Sequence, residues 1–128
     1  MALNAGPDSR SRVLMANCVL LVTCPNPEVG ERIARELVEK RLAACGNVTT
    51  PVTSVYRWQG KVQRESEVVL ILKTRRALVN ACVRAVRELH PYEVPEIIAL
   101  PIIGGLPEYL GWIESETSAV KRPRRASR

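Results

Sequence analysis

Two β-rich segments, Cys45–Trp58 and Lys61–Lys73, flank the dipeptide Gln59-Gly60. Glycine there supplies the positive φ that a two-residue turn needs, so the segments read as one hairpin. Arms of about a dozen residues extend roughly 40 Å. Val48, Thr50, Val52, Ser54, Tyr56 and Trp58 share one parity and are expected on one face of the first arm. Pro51 has the opposite parity and marks a bulge or an edge. The second arm contains Val68-Val69-Leu70-Ile71-Leu72, apolar on both faces, which makes it a central strand.

The other elements follow from shorter signals. Cys18–Cys24 is an apolar run stopped by Pro25, a buried strand. Asn26-Pro27-Glu28 opens a helix with a capping side chain, proline at the first position and an acid in the first turn. That helix is expected to reach about Arg41, with Val29, Ile33 and Leu37 inward and Glu31–Arg35 and Glu36–Lys40 paired outward. Thr74 is expected to cap a second helix from about Arg75 to Leu89, closed by Pro91. Ile97–Ile102 reads as a final strand, and Leu106–Glu116 holds a short helix with Leu110 and Ile113 inward. The order β-α-β-β-α-β is the ferredoxin-like α+β arrangement, two helices on one face of an antiparallel sheet. Helices of about 15 residues span some 22 Å and leave part of the hairpin and one sheet face uncovered. Self-association is the expected cover.

Charge separates this core from its flanks. The chain has a net charge of +6, but residues 18–116 hold twelve basic and twelve acidic side chains. The excess lies in an N-terminal extension, 1–17, and in a basic tail, 117–128, read as disordered. The core therefore has no net charge with which to grip a phosphate backbone. Met15 could itself serve as a start, which makes 1–14 dispensable. The cysteines Cys18, Cys24, Cys45 and Cys82 show no CxxC or zinc spacing. Cys18 and Cys24, roughly 20 Å apart along one strand, can neither bridge nor share a metal. Reduced thiols, no signal-peptide core and no membrane-length apolar stretch indicate a cytoplasmic location.

Three uses of such a fold are disfavoured. The first and third strands hold no aromatic residue on which RNA bases could stack. Cys24-Pro25-Asn26-Pro27 is not the CxxC of a copper chaperone, and with one histidine no nucleophile–base pair is indicated. The densest polar group is His90-Pro91-Tyr92-Glu93-Val94-Pro95-Glu96, whose imidazole and carboxylates suit Cu²⁺ or Zn²⁺ as readily as His90 suits a helix terminus. Tyr56 and Trp58 point one way at the hairpin end. Lys73, Arg75 and Arg76 crowd a helix start, where an anion would be welcome.

Several of these stretches together resemble the CutA family. They are Leu42-Ala43-Ala44-Cys45-Gly46-Asn47, Ser54-Val55-Tyr56-Arg57-Trp58-Gln59-Gly60-Lys61, Leu72-Lys73-Thr74, His90 to Glu96, and Tyr109-Leu110-Gly111-Trp112-Ile113. The resemblance spans about 18–116. It implies a homotrimer, a link to divalent-cation and especially copper tolerance, and no catalysis. It also implies inter-subunit clefts like those of PII signalling proteins. On this chain such a cleft would hold Tyr56, Trp58, Glu67, Lys73, His90, Tyr92, Glu96 and Trp112. Some members bind copper through a first-strand cysteine and two adjacent histidines. Here Val22 and Leu89 replace two of these, so His90 remains, with Cys24 as the substitute donor. The alternatives are a PII-like sensor of a small anionic metabolite and a structural adaptor that uses its tails.

Overall fold

The structure, a computed structural model, describes residues 16–119. Alternation decides the first strand, β1 (Asn17–Cys24). Its even-numbered residues Cys18, Leu20, Val22 and Cys24 are all buried, and the odd ones from Val19 to Thr23 only half-buried. The chain continues through α1 (Pro27–Glu39), β2 (Cys45–Val48), β3 (Val52–Trp58) and β4 (Lys61–Arg75). A 3-10 turn at Arg76–Leu78 leads into α2 (Val79–Leu89), then β5 (Ile97–Pro101) and α3 (Pro107–Glu116). The sheet order is β2-β4-β1-β5, antiparallel throughout, with β3 pairing the outer half of β4. α1 and α2 pack on the even-residue face, where Leu20, Val22, Ile33, Leu37, Leu70, Leu72, Cys82 and Val86 form the core. This is the ferredoxin-like α+β fold.

The hairpin departs from its expected parity, and the cause is local. Val48 pairs with Leu70 but Val52 with Glu67, so three residues on one strand oppose two on the other. Thr49 manages the bulge. Its amide donates to the Val69 carbonyl at 3.0 Å, and its hydroxyl accepts from the Val69 amide at 2.9 Å. Pro51 sits in the bulge, where no ladder amide is needed. The extra residue turns the face over. Val48 stays on the core side with Leu70, whereas Ser54, Tyr56 and Trp58 lie with Glu65, Gln63 and Lys61 on the other side. At the tip, Gln59 (φ 52°) and Gly60 (φ 81°) are both left-handed, the pattern of a type I′ turn.

Helix ends also moved. Asn26 caps α1 as expected, its side chain accepting from the Val29 amide at 2.9 Å. α1 stops at Glu39, and Arg41 takes a left-handed φ of 60°. Its guanidinium then donates to the Ser115 and Ser118 carbonyls, tying this corner to the end of α3. Thr74 is no cap: β4 runs on to Arg75, and the Thr74 hydroxyl donates to the Leu42 carbonyl at 2.6 Å. Asn17 and Thr117, expected in the flanking segments, are buried parts of the fold. The rest of the extension before residue 16 and of the basic tail after 119 lies outside the described residues.

Gly46 in β2 is required by a close approach. A Cβ there would meet the Ala34 Cβ of α1 at 2.8 Å and the Leu72 side chain at 3.1 Å. Gly46→Ala is therefore expected to push α1 off the sheet and cost about 1–3 kcal/mol, read from the urea midpoint. Unchanged stability would mean that the helix yields without loss of packing.

α3 covers only one end of the opposite sheet face. Asn17 donates to the Leu110 carbonyl at 3.2 Å, and Ala44, Leu110 and Ile113 make a second small core. Beyond α3, Val19, Leu21, Val69 and Ile71 are half-buried, while Ile98 and Leu100 are each 48% exposed. From Val52 to Ser66 the hairpin buries no residue.

Candidate ligand cleft

The inner part of the hairpin and the loop after α2 enclose a concavity of about 790 Å³. Ser54, Tyr56, Trp58, Gln63, Glu65 and Glu67 form its floor, because the type I′ register puts them on one face. Tyr92, Glu93, Val94 and Glu96 form the wall.

A relay of hydrogen bonds holds wall to floor. Pro91 ends α2, and His90, in extended conformation, turns its ring inward and is 7% exposed. One ring nitrogen, Nε2, lies 2.7 Å from the Thr23 carbonyl, and Nδ1 accepts from the Tyr92 amide at 3.1 Å. Since a carbonyl only accepts, Nε2 carries the proton. The Tyr92 hydroxyl then donates to Glu67 Oε2 at 2.8 Å. Burial, and next that bond, raise the Tyr92 phenol far above the ordinary tyrosine range. Glu65, as hydrogen-bond acceptor and as charge, raises Tyr56 as well.

The expected site residues separate into three groups. Tyr56, Trp58, Glu67, Tyr92 and Glu96 all line the cleft. Lys73 and Trp112 do not line it within one chain. Lys73 lies six residues beyond Glu67 on β4, about 20 Å along the strand, and donates to Asn47 Oδ1 at 2.6 Å. Trp112 stacks on Tyr109, whose hydroxyl is 3.7 Å from the Cys45 sulfur on the strand paired with Lys73.

The third group is His90 and Cys24, and a metal does not fit them as they stand. Both imidazole nitrogens are engaged within the chain. Cys24 is fully buried in the core, where burial first and the Glu67 charge second push its thiol up to about 11, far from the thiolate that binds metals. Among the described residues no three His, Cys, Asp or Glu side chains converge as a metal site.

Sequence reasoning missed Glu65 and Gln63 as floor residues. Counting back from the Gln59-Gly60 turn pairs Ser54 with Glu65 and Tyr56 with Gln63, so the signal was there. Glu93 lay within the polar group already singled out.

A family model described as "CutA1 divalent ion tolerance protein" matches residues 18–116. The chain belongs to the CutA1 family. Protein CutA of Mus musculus is 52% identical over 99 residues, covering 77% of this chain and 56% of the relative. "Protein CutA, chloroplastic" of Arabidopsis thaliana is 48% identical over 99 residues, 77% of this chain and 54% of the relative. The chain thus spans little more than half the length of these curated relatives. The solved divalent cation tolerance protein (Cut A1) of Thermus thermophilus superposes with a TM-score of 0.78 at 47% identity, covering 80% of this chain and 99% of that one. The CutA1 match coincides with the elements from β1 to α3, which bound the cleft and the open sheet face alike.

Proposed function

We infer that this chain is the trimeric, non-catalytic body of a divalent-cation tolerance protein that responds to copper. The CutA1 match over 18–116 carries this reading, together with the name of the Thermus relative. The apolar sheet face left open beyond α3 supports a trimer, since it offers each copy a surface to bury. In such a trimer the Lys73–Trp112 region of one copy completes the cleft of the next. Cu²⁺ or another divalent cation is a ligand here and not a requirement for folding. It does not enter through His90 and Cys24 unless both leave their present bonds and packing.

Two of the three cations at the expected anion site are engaged within the chain, which weighs against an anion sensor. Lys73 is held by Asn47, and Arg75 donates to the hydroxyl and the carbonyl of Thr117. An adaptor role would rest on tails outside the described residues. The four free thiols support a reducing compartment, which we take to be the cytoplasm. No helix among the described residues is long and apolar enough to cross a membrane.

The test is growth. Cells that lack their own CutA relative are expected to regain tolerance to added Cu²⁺ when they express the full chain. Tolerance unchanged at every expression level would reject the role.

A further inference from the structure

Residues 1–15 join the fold and residues 120–128 leave it at one corner. The Ala16 carbonyl accepts from the Arg76 amide at 2.6 Å, and the next residue, Asn17, pairs with Arg75. The Arg75 guanidinium donates to the Thr117 hydroxyl at 3.0 Å and to its carbonyl at 2.9 Å. Arg41 donates to the Ser118 carbonyl at 3.0 Å. One strand pairing and one side chain therefore separate the two points.

The sequence sets the charge that this corner gathers. Residues 1–15 bring Arg10 and Arg12 against Asp8, and residues 120–128 bring Lys121, Arg122, Arg124, Arg125 and Arg128 with no acid. Residues 18–116 are neutral in sum, so the chain's surplus of +6 is delivered here. Within the fold, Arg76 is exposed and belongs to none of the ion pairs formed among the described residues. With Asn80 it lines a hollow of about 400 Å³ at the start of α2. Glu116 lies 4.0 Å from Arg41, so that acid is already answered.

The kind of partner follows from the kind of cation. Four of the five in 120–128 are arginines, whose planar forks bind two phosphate oxygens at once. Between Lys121 and Arg128 no aromatic side chain is present to stack on unpaired bases, and no long apolar one to enter a bilayer. A basic stretch alone is a weak membrane anchor, whereas the dense phosphate charge of a duplex is bound by cations without further contacts.

We propose that this corner binds the phosphate backbone of duplex nucleic acid, gripped by the basic segment 121–128 with Arg76 at its root, and reads no base sequence. The inference goes beyond copper tolerance and does not depend on it.

The experiment is fluorescence anisotropy of a labelled random-sequence DNA duplex, titrated with the full chain across a salt series. Saturable binding is expected at low salt. The slope of log K against log salt should be about −5, one counterion for each of the five cations and for Arg76. Arg122→Gln, Arg124→Gln, Arg125→Gln and Arg128→Gln combined should bring it to about −2. Arg76→Gln, which keeps the backbone bond to Ala16, should reduce its magnitude by about 1. Arg64→Gln, roughly 36 Å from Arg75 along β4, should leave it unchanged. An unchanged slope in Arg76→Gln would overturn the corner and leave only a charged segment. No saturable binding at low salt, a slope that survives the fourfold variant, an equal loss in Arg64→Gln, or tighter binding to phosphatidylserine vesicles than to the duplex would each overturn the proposal.

Discussion

In the proposed trimer, Ile71→Lys is expected to separate the copies into folded monomers. Ile71 lies opposite Leu21 on the sheet face that α3 leaves open, within a band that includes Val19, Val69, Ile98 and Leu100. In an isolated chain a lysine there can extend its stem over that band and keep its ammonium in water, so the fold survives. In an assembly that closes over the face, the same charge is buried once per copy with no acid among its strand neighbours. Burial of an unpaired charge costs several kcal/mol per copy. That is ample to dissolve an interface whose total buried area is expected to exceed about 2,000 Å². Light scattering should give three times the 14.2 kDa chain mass for the unaltered protein and the single mass for the variant. A monomeric unaltered protein with a cooperative melt would sink the assembly itself. A variant that stays trimeric would place the interface elsewhere, for example on the exposed hairpin from Val52 to Ser66.

The fold was legible because its signals are short-range. The apolar run Cys18–Cys24, the Asn26-Pro27 cap and the Gln59-Gly60 turn each act within a few residues, and each is in place. The parity of the first hairpin arm was not legible across Pro51. A proline announces that pairing is disturbed, but the one-residue slip depends on Thr49 bonding to Val69, twenty residues away in sequence. Thr74 failed as a cap for a similar reason. A threonine before a helical pattern is a good cap in isolation, but here the Leu42 carbonyl takes its hydroxyl first. Arg41 was expected at the end of a helix, yet its guanidinium serves the carbonyls at the end of α3, a long-range contact that no local pattern announces.

The site was legible by composition more than by role. Tyr92, Glu93 and Glu96 of the polar group do meet the pair Tyr56 and Trp58 at one cleft. What sequence could not supply was the direction of the imidazole. A histidine before Pro-Tyr can face solvent and a metal, or face inward and bond the backbone, and only the position of Thr23 decides.

His90→Ala should therefore act on stability and leave any copper response unchanged. The substitution removes both ring bonds and leaves the Thr23 carbonyl and the Tyr92 amide without their partners. Buried groups left in that way cost about 1–3 kcal/mol each, less where water enters, so a loss of about 2–4 kcal/mol is expected from the denaturant midpoint. Tyr92 would lose its tether, and with it Glu67 its donor, so the wall of the cleft loosens. His90→Gln, with an amide that can both donate and accept, should recover part of the loss. A ligand role makes the opposite forecast. Truncation would then cost little stability in the absence of metal, and the thermal shift induced by Cu²⁺ would vanish. The two measurements on one variant decide between them. A small stability loss with an abolished copper shift would overturn the inward hydrogen-bonding role and return His90 to the metal.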